Sequence, residues 1–85
     1  MSKIENMVNK YIKSCRRVLK ELRSSSAKVK ACKEVSELIE WAENYLKDAE
    51  FYLREGELEV SLATIAYCEG LLDALRLLGL AEFEW

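Results

Sequence analysis

Residues 45–70 read YLKDAEFYLREGELEVSLATIAYCEG, and this stretch decides the fold. Before the glycine, Tyr45, Leu46, Ala49, Tyr52 and Leu53 recur at steps of three and four, which makes one apolar stripe on a 3.6-residue helix. Gly56 interrupts the pattern. Glycine takes the left-handed backbone conformation of a helix C-terminal cap at little cost, so the helix should stop there. Apolar residues resume at helical spacing directly afterwards, from Leu58 through Leu62, Ile65, Cys68 and Leu72. Two helices joined by so short a turn must lie antiparallel. Residues equidistant from Gly56 should then lie level, setting Tyr45 near Tyr67, Ala49 opposite Ala63 and Ala42 opposite Gly70. A glycine inside a helix costs ~1 kcal/mol relative to alanine. A tight small-residue seam would give Gly70 a reason, and Gly70→Leu should then cost roughly 1–3 kcal/mol by overpacking against Ala42.

The same reading extends outward in both directions. The second helix should begin near Ala27 or Ala31 and end near Glu55, with Val35, Leu38, Ile39 and Ala42 continuing its stripe. Ser24, Ser25 and Ser26 break the chain ahead of it, and Ser26 can cap its start. A first helix from about Lys3 to Arg23 carries Ile4, Val8, Tyr11, Ile12, Cys15, Val18, Leu19 and Leu22 on one stripe. The third helix should run from about Glu57 to Leu78 and stop at Gly79, leaving Leu80–Trp85 as a short tail. Proline, the strongest helix breaker, is absent. The chain of 85 residues is therefore expected to form one all-α domain, an antiparallel three-helix bundle with a short C-terminal tail.

Charge is segregated along this chain. Residues 1–33 hold ten basic and two acidic side chains, net +8, and residues 34–85 hold three basic and thirteen acidic, net −10. A basic first helix beside an acidic second one would form flanking ion pairs, which is the favoured reading. The alternative is an accessory nucleic-acid or nucleotide-binding surface on the outward stripe Lys10, Lys13, Arg17 and Lys20. No aromatic residue interleaves that stripe to stack on bases. Within the second helix, Glu43–Lys47 and Glu50–Arg54 are spaced for i,i+4 pairs.

Familiar chemistries are missing. The chain contains no histidine, the commonest general base at neutral pH and the commonest metal ligand. It has no glycine-rich phosphate loop. Cys15, Cys32 and Cys68 make no C-x-x-C pair and read as small buried hydrophobes. Asp48 and Asp73 sit in apolar helix segments, and are read as solvated or as bonded to nearby tyrosines rather than as cation ligands. No catalytic residue, cofactor or metal is expected. No apolar run approaches the roughly 20 residues of a membrane span, and Met1–Lys10 lacks the apolar core of a secretory signal, which points to the cytoplasm.

The segments Tyr45-Leu46-Lys47-Asp48-Ala49, Gly56-Glu57 and Ala63-Thr64-Ile65-Ala66-Tyr67-Cys68-Glu69-Gly70-Leu71-Leu72-Asp73-Ala74, followed by Gly79, resemble an archaeal family called domain of unknown function 357. The resemblance covers roughly residues 35 to 80 and implies a short helical protein, without implying an activity. The family usually has aspartate after the turn glycine, where this chain has Glu57, a weaker helix N-cap. The helix pair is also similar to HEPN-type pairs, whose ribonucleases need a histidine that this chain lacks.

The third helix is apolar around most of its circumference, more than two neighbours can cover. Val60, Ala63, Tyr67, Leu71, Ala74 and Leu78 share one side of it. With Phe83 and Trp85 in the tail, Val60, Tyr67, Leu71 and Leu78 form the expected surface of a non-enzymatic protein-interaction module, the partner being another protein or a second copy in a homo-oligomer; the alternative is that the tail folds back over the bundle end and covers this surface itself.

Overall fold

The computed structural model describes residues 2–85. Three helices make an antiparallel bundle: α1 spans Lys3–Ser24, α2 Lys33–Arg54 and α3 Leu58–Leu77. The molecule measures 39 × 20 × 20 Å, as helices of 20 to 22 residues laid side by side require. No helix is long and apolar enough to cross a membrane.

Each boundary has a local cause. The Ser2 side chain accepts the Glu5 amide at 3.0 Å and caps α1. Gly56 has φ +78° and closes α2, with the Glu57 amide donating to Tyr52 and the Gly56 amide to Leu53. This is a Schellman arrangement, and Gly79 repeats it at the end of α3. The start of α3 is weaker. Its N-cap, Glu57, makes no side-chain capping bond.

Helix α2 begins at Lys33, later than the sequence suggests. Ser26–Lys28 form one 3-10 turn, and Val29 and Cys32 are extended. The tail holds this segment open. The Lys30 amide donates to Leu80 at 2.9 Å and the Glu82 amide to Lys28 at 2.8 Å, making an isolated antiparallel bridge between Val29 and Ala81. Backbone groups bonded to the tail are not available to a helix.

The α2–α3 seam is built from small residues, but not the expected ones. Ala42 and Ala49 on α2 meet Cys68 and Ser61 on α3, all four fully buried. The Ser61 hydroxyl donates to the Ala49 carbonyl at 2.7 Å, and the Cys68 thiol to the Ala42 carbonyl at 3.2 Å. Gly70 is exposed instead, and a Cβ added there would meet no heavy atom within 4 Å. Lying level differs from facing: Gly70 is two residues from Cys68, about 200° around the helix at 3.6 residues per turn. The expected pairing of Gly70 with Ala42 is therefore corrected, while Tyr45 and Tyr67 do meet, their ring centroids 4.7 Å apart.

Between α1 and α2 the segregated charges pair. Arg16 bonds Glu50, and Arg23 grips Glu43 with two guanidinium nitrogens, one at 2.8 Å. These carboxylates turn to α1 rather than to Lys47 and Arg54 within their own helix. Arginine's planar fork favours that two-point geometry. Such exposed pairs each contribute no more than ~1 kcal/mol, and chiefly fix which faces meet.

Candidate functional site

The exposed side of α3 adjoining α2 is an uncharged strip. Val60, Ala63, Tyr67, Gly70, Leu71, Ala74 and Leu78 follow one another along it, and Leu71 alone among them is half-buried. Tyr67 is 59% exposed, Leu78 72% and Val60 43%. Of the charged residues of α3, Asp73 and Arg76 bond each other and face the tail.

Helix α2 adds aromatic surface beside this strip. Trp41 is 58% exposed and its ring lies 6.2 Å from that of Tyr45, which in turn packs at a tilt against Tyr67. Three rings thus run across the seam. Leu38 is also exposed there, although its place on the apolar stripe suggested burial. Trp41 was not legible as a surface residue from the stripe itself. Its signal is that it falls off the α2 stripe, between Ile39 and Ala42, where a bulky aromatic has no core to enter.

The tail residues occupy a different place. Phe83 is buried, packed edge-on against Trp85 at 5.1 Å between centroids. The Trp85 indole N–H donates to Asp73 at 2.9 Å, and Arg17 on α1 donates to the carbonyls of Glu84 and Trp85, both at 2.8 Å. The tail therefore lies over the α1–α3 groove, away from Tyr67. Of the six residues expected on one surface, Val60, Tyr67, Leu71 and Leu78 share one side of α3, while Phe83 in the tail is buried and Trp85 beside it stays 42% exposed.

The basic stripe is thinned in the same way. Lys10, Lys13 and Lys20 are exposed, but Arg17 is committed to the tail. Asp48 is exposed on α2. Asp73 is bonded to a tryptophan and an arginine rather than a tyrosine, and these two donors, the Trp85 indole first, hold its carboxyl below the usual aspartate range. The bond from Arg23 holds the Glu43 carboxyl low as well. The neighbouring Cys68 thiol, by hydrogen bonding, and burial push the Cys15 thiol up. Cys15 and Cys68 are buried, Cys32 is half-buried, and all three are free thiols. Among the described residues no cluster of three or more cysteine, aspartate or glutamate side chains could hold a metal ion.

No curated protein and no solved structure matches this chain. A family model described as a protein of unknown function, DUF357, matches residues 10–81 and so takes in most of α1 and all of α2 and α3. By that match the chain belongs to the DUF357 family.

Proposed function

We propose that this chain is a non-enzymatic protein-interaction module of the cytoplasm and that the α2–α3 face is its working surface. The observation that carries the reading is the uncharged strip with Trp41, Tyr67 and Leu78 each more than half exposed. Allowing ~150–250 Å² for a whole aromatic side chain, the strip and its neighbours leave on the order of 600 Å² of apolar surface in water. That is the top of the roughly 300–600 Å² found for the largest patch of an ordinary monomer. Covering it would return about 15 kcal/mol at ~25 cal/mol per Å², against an association cost of about 4–15 kcal/mol. Tyrosine and tryptophan suit such a role, because they bury much area with little side-chain entropy to lose.

The titratable groups support the non-enzymatic part. A general acid or base works best with a pKa near the ambient pH. The shifts at Asp73, Glu43 and Cys15 all lead away from neutrality. The free thiols suit a reducing compartment.

Photo-cross-linking in the native cell tests the proposal. A benzophenone amino acid placed at Tyr67 should yield a discrete adduct, and one placed at Lys13 should not. Adding Leu71→Glu should abolish the Tyr67 adduct while the helical circular dichroism spectrum is unchanged. No adduct at Tyr67, or equal adducts at both positions, overturns the reading.

A further inference from the structure

We infer that the occupant of the α2–α3 face is a basic amphipathic helix of another protein, an inference that rests on the interaction reading above. The ground is the charge along the border of the face. Glu34, Trp41 and Asp48 on α2 and Glu55 at its C-cap follow at steps of seven, drifting ~20° per step, so they share one side of that helix. All four are exposed. Glu34, Asp48 and Glu55 form no ion pair among the described residues. The exposed Trp41 therefore stands in a row of three carboxylates outside any ion pair, and it is joined through Tyr45 to Tyr67 on the uncharged strip of α3.

The cations of α2 do not offset it. Arg54 lines a cleft with Arg16 and Glu50, and Lys47 another with Arg16, Lys20 and Glu50, both toward α1. Lys33 stands over Glu37 at 3.8 Å. The face thus combines an apolar strip about 27 Å long, Val60 to Leu78 at 1.5 Å per residue, with an acidic rail on one side. A helix laid along that face would set its apolar side on Tyr67, Leu71 and Leu78 and place lysine or arginine along the rail. A second copy fits less well. Two copies joined by this face would bring two acidic rails into one interface, and like charges placed together oppose association.

The probes are two labelled 18-residue peptides with leucine at the same helical positions, one with lysine and one with glutamate elsewhere. Binding to the whole chain is followed by fluorescence anisotropy. The leucine–lysine peptide should bind at least about tenfold more tightly, a difference of ~1.4 kcal/mol. The triple change Glu34→Lys, Asp48→Lys, Glu55→Lys should weaken it at least about tenfold, and so should Tyr67→Glu, which leaves the charges of the rail in place. Reversing the tail acids, Glu82→Lys with Glu84→Lys, should change binding by less than about twofold and so separates the rail from overall acidity. Equal binding of both peptides, or equal weakening by the tail changes, overturns the inference. So does a Tyr67 cross-link whose mass is twice that of the chain. Such a cross-link would leave the interaction module standing with a second copy as its partner, whereas loss of the Tyr67 cross-link itself removes both.

Discussion

Replacing Gly70 by alanine tests the seam and the exposed strip together. Gly70 lies near the middle of α3, is exposed, and has no heavy atom within 4 Å of the position a Cβ would take. Nothing in the molecule opposes the added methyl group. What remains is the backbone term: glycine in a helix interior costs ~0.8–1.0 kcal/mol relative to alanine because the unfolded chain has more freedom to lose. Gly70→Ala should therefore stabilise the protein by about 0.8–1.0 kcal/mol. In a domain of this length that raises the thermal midpoint by roughly 4–8 °C. The assay is urea and thermal unfolding followed by circular dichroism, at protein concentrations low enough that the midpoint no longer depends on concentration. The urea slope should stay constant, since neither end state changes its exposed surface appreciably. Gly70→Leu should also be stabilising, by somewhat less, where the close-packed pairing with Ala42 required a loss. An unchanged or lowered midpoint for Gly70→Ala would refute the reasoning, because it would mean that the position is packed.

Three further outcomes follow from the structure. Ser61→Leu should lower stability by about 1–3 kcal/mol in urea unfolding, since the hydroxyl lies against the Ala49 carbonyl with no room for three more carbons. Glu57→Asp should raise it by about 0.5–1 kcal/mol, because the shorter carboxylate can reach the free amides at the start of α3 that Glu57 leaves uncapped. Asp73 has its pKa lowered on folding, so its contribution is present above the ordinary carboxylate pKa and is lost as the pH falls through the lowered value. In a Trp41→Phe background the emission of Trp85 should report that acid transition, and Asp73→Asn should remove it.

Most of the architecture was legible because apolar period and glycine position act locally. The stripes of Val8 through Leu22 and of Val35 through Ala49 are the buried faces of α1 and α2, and Gly56 is the turn. What escaped depends on contacts between distant segments. The late start of α2 follows from the tail's bonds to Lys28 and Lys30, which no local pattern announces. The seam was displaced from Gly70 to Cys68 because equal distance from a turn fixes height along the bundle but leaves the rotation of each helix open. Tyr67, Leu71 and Leu78 were found on a shared face because they are neighbours on one helix. The burial of Phe83 had no signal of this kind, because tail residues carry no periodicity to say which side of the bundle they will cover.

The bridge between Val29 and Ala81 ties together the motions of two segments that have all of α2 and α3 between them. The loop lends an amide to the tail through Lys30, and the tail lends one to the loop through Glu82. Neither strand of this pair can lift away without stripping both bonds. The Lys30 and Glu82 amides should therefore exchange with solvent as a single cooperative unit, at a rate set by one shared opening equilibrium. Arg17, which holds the last two carbonyls of the tail, belongs to that equilibrium as well. A disturbance of α1 at that residue is thereby felt at the entrance to α2, by way of the opposite end of the chain.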